Sequence, residues 1–371
     1  MRFLHIWFLG WMAILLAVPA VGLAYNTLRV MGEPLDVRSG EDVGFAKRFD
    51  RFVATHFGLR REMVNLNRDM KKLFSGGSRR VVEGAGGWLF ITDLDVLGQA
   101  TGQRYDVAAL SAFVDVAGEL QRILADRPRT LLVAIAPNKH TIYRDKLPVW
   151  AREEPARTEL DALHDRLLTR GIDAVDLRPA LKSWTSDRLV YWRGDTHWTP
   201  FGAAVAFNEI VQRLGHSGAA VDIEAVFGPP VSVERRGDLV AIQQSQEKFI
   251  EFPSLPTDPG LFSEAPFERT VLDKSGSNDI YRLRPRVPYD PPSRRPKTLV
   301  IGDSFSASLL GPLFMRFAAD FTWMPNRLGV PDPDLIHAID PDILILEAVE
   351  RTITSFQQVP GASPAQNAAG R

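Results

Sequence analysis

Apolar positions along the chain alternate between helical spacing and continuous runs. After Asp106, apolar residues recur every three or four positions until Asp126-Arg-Pro128, which predicts an amphipathic helix. A second helix is predicted over about 158–170 for the same reason. A continuous apolar run, which is typical of a strand buried on both faces, occurs at 130–135. Further short strands are predicted at 172–177, 298–301 and 343–346. This alternation predicts an α/β fold with a parallel sheet flanked by helices.

The N-terminal residues form the longest apolar run of the chain. Residues 3–28 contain no Asp, Glu, Lys or Arg, and a run of about 20 apolar residues is long enough to cross a bilayer. We interpret 1–28 as a signal anchor, a transmembrane helix that leaves the rest of the chain outside the cytoplasm. A signal peptide cleaved after Ala24 is the alternative with the same export, and a buried core helix is less favoured.

The rest of the chain divides by composition. Residues 29–80 show apolar faces at helical spacing and predict a helical lead-in. The glycines of 84–87 predict a tight turn before an edge strand, because the pattern of a nucleotide-binding loop is absent there. The main domain is expected over 81–355 with an insertion at about 217–297, and 356–371 is expected to be a flexible tail.

Proline is concentrated in one part of the insertion. Residues 253–296 hold nine prolines and lack helical periodicity. Since proline fixes φ and removes a backbone donor, we predict an irregular Pro-rich segment of short edge strands and loops. A disordered linker is the alternative interpretation.

Overall composition narrows the classes of function. The chain has 371 residues, 45% hydrophobic and 24% charged, which is typical of a globular protein and excludes a disordered chain, a collagen-like fibre and a many-span membrane protein. Lys and Arg number 44 against 45 Asp and Glu, so the net charge of -1 offers no field for a polyanion, and no nucleic acid is expected. The absence of cysteine excludes disulfides, thiolate zinc sites and a cysteine nucleophile.

The first candidate site is the segment 191–202. Thr199 and Pro200 form an N-cap and first-turn pair, so Asp195 and His197 precede a predicted helix. Residues two apart in an extended loop point the same way, which lets Asp195 accept the Nδ1–H of His197 and fix its tautomer. A capping Asp beside a half-buried His is the alternative. A metal site is less favoured because no third ligand is nearby in sequence.

The second candidate site follows the predicted strand that ends at Gly302. A sharp turn presents Ser304 there, ahead of another helix. Reactive groups of open α/β sheets gather at the carboxyl ends of the strands, where the Ser304 N–H faces any oxyanion that forms. Ser304, His197 and Asp195 then supply nucleophile, general base and orienting acid, in a chain order that geometry permits. The alternative is that Asp303 or Ser304 only caps the helix.

Four further residues are candidates for substrate binding or for the oxyanion. Lys139 and Arg351 follow predicted strand ends and are candidates to stabilise an oxyanion or bind an acidic sugar, with surface salt bridges as the alternative. Trp198, next to the candidate base, is the best candidate for a pocket wall. Gly302 lies in the turn that presents Ser304 and is the fourth candidate for substrate binding or for the oxyanion. The alternative general bases are His140 and His164.

Several motifs together resemble a known family. The segments Asp195-Thr-His-Trp198 and Gly302-Asp-Ser304 are similar to those of SGNH-hydrolase-like O-acetyltransferases of the alginate AlgJ/AlgX type. The resemblance extends over about 45–355. The other similar segments are Gly86-Gly-Trp-Leu-Phe90, Pro137-Asn-Lys-His-Thr-Ile-Tyr143, Leu147-Pro148, Arg236-Gly-Asp-Leu239 and Glu347-Ala-Val-Glu-Arg351.

The resemblance implies a fold, an activity and partners. It implies an SGNH-hydrolase-like catalytic domain over 81–355 with the triad Ser304, His197 and Asp195. We expect neither a cofactor nor a metal. It implies transfer of an acetyl group onto hydroxyls of an exported polysaccharide in the periplasm. The implied partners are that acceptor, a membrane-bound O-acyltransferase that brings the acetyl donor, and the bacterial inner membrane. Because there is no room for a C-terminal carbohydrate-binding module, the chain is expected to be AlgJ-like. No Tyr follows Ser304, so the resemblance implies no active-site Tyr at that end.

Two other functions stay open from the sequence. An esterase or deacetylase would use the same three residues and differ only in passing the acetyl group to water. A non-catalytic scaffold of a polysaccharide export or acetylation complex would use the anchor and the insertion, and would not need Ser304.

Overall fold

The computed structural model describes residues 80–275, 278–287, 295–307, 309–326 and 333–355. The predicted anchor (1–28), nearly all of the lead-in (29–80) and the tail (356–371) lie outside these residues. Among the helices that are described, none combines the length and the apolarity needed to cross a bilayer.

The strands form one large sheet and three small ones. In chain order they are β1 (Val81–Glu83), β2 (Leu89–Ile91), β3 (Thr130–Ala136), β4 (Ala174–Asp176), β5 (Phe227–Pro230), β6 (Val233–Arg235), β7 (Phe249–Glu251), β8 (Ser254–Pro256), β9 (Phe267–Ser275), β10 (Asn278–Pro285), β11 (Lys297–Gly302), β12 (Asp320–Pro325) and β13 (Ile343–Val349). The seven-stranded sheet has the order β4-β3-β13-β11-β12-β10-β9, while β1-β2, β5-β8 and β6-β7 form pairs.

Helices connect and cover these strands. They are α1 (Val96–Ala100), α2 (Val107–Ile123), α3 (Lys139–Ile142), α4 (Glu159–Thr169), α5 (Arg178–Ser183), α6 (Pro200–Arg213), α7 (Ile223–Val226), α8 (Asp238–Ile242), α9 (Ser304–Ala307), α10 (Leu310–Phe314) and α11 (Pro333–Ile339). The predicted helices at 106–126 and 158–170 are confirmed, with Asp106 and Thr158 as N-caps. The single helix expected after Ser304 is instead the two short helices α9 and α10.

The large sheet lies between two apolar layers. On β11, Leu299 and Ile301 join the layer that contains α2, α4 and α11. Val300, between them, joins the layer that contains α6 and α10. Successive side chains of a strand point to opposite faces, so a strand covered on both faces is apolar throughout. The continuous apolar runs in the sequence therefore identified the central strands correctly.

The prediction of a wholly parallel sheet is wrong. The pairs β4/β3, β3/β13, β13/β11 and β11/β12 are parallel, but β10 pairs antiparallel with both β12 and β9, which makes the sheet mixed. No strand was predicted at β12, whose six residues are all buried.

The prediction of an irregular Pro-rich insertion is wrong for its central part. Strands β9 and β10 are nine and eight residues long and extend the main sheet. Pro266 precedes β9 and Pro285 is the last residue of β10, so neither removes an N–H from the middle of the pairing between these strands. Proline disrupts a strand only where its missing N–H is needed. The position of each proline, not their number, decides the structure here.

The glycine turn at 84–87 is confirmed, but its strand lies outside the main sheet. Strands β1 and β2 pair with Val81 opposite Ile91. Gly86 and Gly87 have φ of 64° and 73°, values that side chains disfavour. Gly84 has no room for a side chain, because a Cβ would lie 2.0 Å from the Lys146 carbonyl oxygen.

Candidate active site

The loop that precedes α6 is folded back on itself. Tyr191 pairs with Trp198 as an isolated antiparallel bridge, and the Trp192 N–H donates to the His197 carbonyl at 3.2 Å. The Thr199 hydroxyl accepts the Gly202 N–H at 3.1 Å and so caps α6. These bonds fix both ends of the loop, and its tip carries Asp195 and His197.

The structure brings Asp195, His197 and Ser304 into one hydrogen-bonded chain. The distance from His197 Nδ1 to Asp195 Oδ1 is 2.8 Å, and the distance from His197 Nε2 to Ser304 Oγ is also 2.8 Å. Asp195 is buried, Ser304 is exposed, and the imidazole is 33% exposed. If Nδ1 donates its proton to Asp195, then Nε2 is free to accept the Ser304 proton. This arrangement is the one that nucleophilic acyl transfer requires.

The Ser304 turn is built on tight packing at the carboxyl end of β11. Ser304 is the first residue of α9, and the first N–H groups of a helix have no partner within that helix. Asp303 Oδ1 accepts the Phe305 N–H at 2.9 Å, and its Oδ2 accepts the Val349 N–H at 2.7 Å. Asp303 therefore caps the turn, as the sequence allowed, while the Ser304 hydroxyl faces His197.

Gly302 leaves no space for a side chain. A Cβ there would lie 2.1 Å from Ser306 Oγ and 2.7 Å from Glu347 Oε2. Because Ser306 Oγ also accepts the Trp323 Nε1–H at 3.0 Å, it is not free to move. We expect Gly302→Ala to lower the free energy of unfolding by about 1–3 kcal/mol. Chemical denaturation of the wild type and the variant measures this difference, and Gly218→Ala, at an exposed glycine, is the control. Equal stability of the wild type and Gly302→Ala would contradict the packing argument.

Two carboxyl groups are buried beneath this turn. Glu347 Oε2 accepts the Asp303 N–H at 3.0 Å, and Glu347 Oε1 has no partner among the described residues. Burial and the neighbouring Asp303 raise the pKa of Glu347 well above its usual range. Burial also raises the pKa of Asp303, but two backbone donors and the charge of Arg351 oppose that rise. We therefore assign the neutral form to Glu347, whose pKa is raised further.

The second oxygen of Asp195 has its own partners. Asp195 Oδ2 accepts a hydrogen bond from Arg235 Nη2 at 3.0 Å and from the Asp238 N–H at 3.1 Å. Burial alone would raise the pKa of Asp195, but the hydrogen bonds from His197 and the charge of Arg235 outweigh it and hold the pKa well below its usual range. Asp195 is therefore ionised at neutral pH and can support a positive imidazolium.

A pocket of about 480 Å³ opens over Ser304 and His197. Arg235 stacks on the Trp192 ring, with its guanidinium carbon 4.1 Å from the ring centroid. Trp198 lines the pocket, although most of its surface is buried. The lining residues are Trp192, Asp195, His197, Trp198, Pro200, Arg235, Ser304, Ala307 and Leu309. The volume falls in the range of sites for small molecules.

Lys139 is not in the pocket. Its Nζ is buried and donates to three carbonyl oxygens, those of Trp192 (3.1 Å), Arg193 (3.0 Å) and Asp195 (2.7 Å). An ammonium has three donors, so none is left for an oxyanion or a sugar. Burial lowers the pKa of Lys139 to about 7. The predicted role is replaced by another one, in which Lys139 holds the loop that carries Asp195.

Arg351 lies behind the nucleophile turn and does not line the pocket. Its guanidinium carbon is 5.4 Å from the centroid of the Phe305 ring, and Nη1 lies 3.4 Å from Asn138 Oδ1. Burial lowers the pKa of Arg351, and the charge of Asp303 opposes this. The Phe305 ring also packs against the His197 imidazole, and the centroids of the two rings are 5.0 Å apart. Among the described residues, Arg351 thus has a hydrogen bond to Asn138 and a ring contact with Phe305, and no hydrogen bond to Ser304.

The two alternative bases lie elsewhere. His140 is buried, its Nε2 lies 2.8 Å from the Ile91 carbonyl oxygen, and burial lowers its pKa to about 3. His164 lies on α4, and burial lowers its pKa as well. Neither lines the pocket.

Sequence reasoning gave no role to Arg235 or Asp238, which the insertion contributes. They lie at the end of β6 and the start of α8, some 40 positions from the loop they contact. The motif Arg236-Gly-Asp-Leu239 was a visible signal. Gly237 in it is required because a Cβ would lie 2.1 Å from the Gly194 carbonyl oxygen.

Asp195, His197 and Asp238 place one ligand-type atom each within 4.8 Å of one another. The fold therefore supplies the third group that the sequence lacked for a metal site. However, Nδ1 of His197 shares a proton with Asp195, and Asp195 Oδ2 is bound to Arg235. Metal ligands must be deprotonated and free, so we assign no ion to these groups.

A serine, a histidine and an aspartate thus meet at the carboxyl edge of the mixed sheet, an arrangement found on several unrelated folds of enzymes that use a serine nucleophile. Residues 81–261 match the sequence model of a family described as "SGNH hydrolase-like domain, acetyltransferase AlgX". Asp195 and His197 lie within the matched residues, whereas Ser304 lies beyond them.

One curated relative is the probable alginate O-acetylase AlgJ of Pseudomonas aeruginosa. This chain is 30% identical to it over 278 residues, which cover 71% of this chain and 65% of the relative. The match to the AlgJ protein of Pseudomonas syringae, at 31% identity, covers 56% of this chain and 49% of that relative. The resemblance to the AlgJ/AlgX type that the motifs indicated is confirmed.

Solved structures support the fold at low sequence identity. Bacillus cereus PatB1 superposes with a TM-score of 0.53 at 12% identity, covering 74% of this chain and 96% of PatB1. A DHHW family protein from Eubacterium siraeum superposes with a TM-score of 0.51 at 15% identity, covering 74% of this chain and 91% of that protein.

Proposed function

We propose that this chain is an O-acetyltransferase that moves an acetyl group through Ser304 onto hydroxyls of a polysaccharide. The observation that carries the proposal is the chain of two 2.8 Å hydrogen bonds from Asp195 through His197 to the exposed Ser304 hydroxyl. The similarity to a probable alginate O-acetylase supports acetyl as the group transferred and an alginate-like or other exported polysaccharide as acceptor.

The first step acylates Ser304. His197 Nε2 takes the proton of Ser304 Oγ, which attacks the carbonyl carbon of an acetyl ester. A bond forms between Oγ and the acetyl carbon, the bond to the leaving group breaks, and the leaving group takes the proton from Nε2. The Ser304 N–H is a donor for the oxyanion, and loss of one such donor typically costs about 10²–10³ in rate.

The second step returns the enzyme to its starting state. A sugar hydroxyl gives its proton to His197 Nε2 and attacks the acetyl-Ser304 carbonyl. The ester to Oγ breaks, and Oγ recovers the proton from Nε2. In both steps His197 becomes positive for a moment, and the ionised Asp195 at Nδ1 lowers the energy of that state.

Location and partners are part of the proposal. The uncharged run of residues 3–28 supports export and an anchor in the inner membrane. An acetyl donor used outside the cytoplasm must be brought across the membrane, which supports a membrane-bound O-acyltransferase as the partner. The acceptor is then a polysaccharide in the periplasm.

The acceptor decides between a transferase and an esterase. The full-length chain is incubated with p-nitrophenyl acetate and either a uronate oligosaccharide or a neutral one, and products are followed by mass spectrometry. We expect oligosaccharide that has gained an acetyl group, with formation abolished in Ser304→Ala. Free acetate with no acetylated sugar would overturn the transferase in favour of the esterase. Absence of any turnover that depends on Ser304 would favour the scaffold.

A further inference from the structure

The imidazole of His197 faces a second carboxylate in addition to Asp195. The distance from His197 Nδ1 to Asp238 Oδ2 is 3.5 Å, against 2.8 Å to Asp195 Oδ1. Asp238 is about as exposed as His197, with side-chain exposures of 35% and 33%. The Nδ1 side of the ring thus lies between two acidic groups.

Asp238 is fixed in this position by the same loop. Its Oδ1 accepts the Thr196 N–H at 2.8 Å, and its Oδ2 accepts the Thr196 hydroxyl. Its own N–H donates to Asp195 Oδ2 at 3.1 Å. Each end of Asp238 is therefore tied to a residue adjacent to His197 or to the orienting acid itself.

The two carboxylates differ in their positive partners. Asp195 forms an ion pair with Arg235 at 3.0 Å, which withdraws part of its negative charge from the imidazole. Among the described residues, the basic group within 4.0 Å of the Asp238 carboxylate is His197 itself. Asp238 therefore has more of its charge available to His197 than its longer distance alone suggests.

We infer that Asp238 is a positioning residue that holds the Asp195–His197 loop and supplies a second negative charge to His197 when the imidazole becomes positive. The inference rests on the proposed function and adds a residue to its machinery. Arg235 keeps Asp195 ionised, and Asp238 compensates for the charge that Arg235 takes from the imidazolium.

Other charges act on His197 from every side of the loop. Asp303 faces it from the nucleophile turn, Arg235 acts through Asp195, and Arg351 acts across the Phe305 ring. Lys139 holds the loop and interacts electrostatically with the carboxylates of Asp238 and Asp195. All of these groups are retained when only Asp238 is changed, so a shift in the titration of His197 reports Asp238.

The test is Asp238→Asn. Its Oδ1 can still accept the Thr196 N–H, while the negative charge is lost. Removing a negative charge disfavours the imidazolium, so the acidic limb of the pH profile of kcat/KM should move to lower pH by about one unit. The plateau should fall roughly 10-fold, because the positive transition state is less stabilised. A purely structural role would lower the rate and leave the limb in place.

The matched control is Asp222→Asn, a carboxylate that caps the short helix α7 by accepting the Ala225 N–H. It should leave both the limb and the plateau unchanged. Asp238→Ser, which has a shorter and uncharged side chain, serves as the second variant if Asp238→Asn folds poorly. A limb that stays at its wild-type pH in the folded variant would overturn the inference.

The inference and the proposed function fail separately. If the wild type shows no turnover that depends on Ser304, the proposed function is wrong. The pKa of His197 is then measured by NMR, with His197→Gln to assign the signal, in wild type and in Asp238→Asn. A pKa lower by about one unit in the variant supports the electrostatic part, and an unchanged pKa contradicts it.

Discussion

Ser304→Ala is expected to abolish acetyl transfer while the protein stays folded. The change removes the Oγ that would carry the acetyl group, and loss of a triad member typically costs about 10⁴-fold or more in kcat. Ser304 is exposed, and its hydroxyl contacts His197 Nε2, so its loss leaves no buried group unpaired. The free energy of unfolding should change by less than about 0.5 kcal/mol. Rates with p-nitrophenyl acetate and denaturant curves measure both.

The control for Ser304→Ala is Ser183→Ala, an exposed serine at the end of α5 whose hydroxyl donates to the Ala180 carbonyl. It should keep full activity. In cells, Ser304→Ala should produce the polysaccharide without its acetyl groups. Wild-type acetylation by the variant would show that Ser304 is not the acyl carrier and would favour the scaffold.

The parts of the site that sequence predicted are those with a local signal. Thr199 and Pro200 predicted the start of α6, and that start places Asp195 and His197 in the loop before the helix. The apolar run that ends at Gly302 predicted a strand followed by a turn that carries Ser304. In a parallel sheet the carboxyl ends of strands meet at one edge, so the meeting of these two segments followed from general topology.

The parts that sequence missed depend on partners far along the chain. Lys139 looked like a free cation past a strand end, but its three acceptors lie 53 to 56 positions later. Asp238 is 42 positions from Thr196, inside the segment expected to be an insertion. Neither set of hydrogen bonds produces a recognisable sequence pattern, because the partners include backbone groups, which every residue has. Only the fold decides which carbonyl meets which side chain.

Lys139→Met is expected to lower kcat about 10²-fold, because the loop of Asp195 loses its anchor. Misplacement of a catalytic group by about 1 Å can cost this much. The effect on stability should be smaller. Burial of an ammonium is costly, as the pKa of Lys139 at about 7 reflects, and Met removes that cost. Met also takes one donor from three carbonyl oxygens, of which that of Arg193 keeps the Leu89 N–H. These effects oppose each other, so the free energy of unfolding should change by no more than about 2 kcal/mol.

Lys139→Arg should fail in the same way although the charge is kept. The Nζ lies 5.3 and 5.8 Å from the ring centroids of Phe90 and Trp88, a site for a compact cation. A planar guanidinium cannot direct three donors to three carbonyls that converge on one point. Lys182→Met, on an exposed lysine paired with Glu154, is the control and should keep wild-type rates. If Lys139→Met or Lys139→Arg retained full kcat, the loop would hold Asp195 without this anchor, and the positioning role assigned to Lys139 would be wrong.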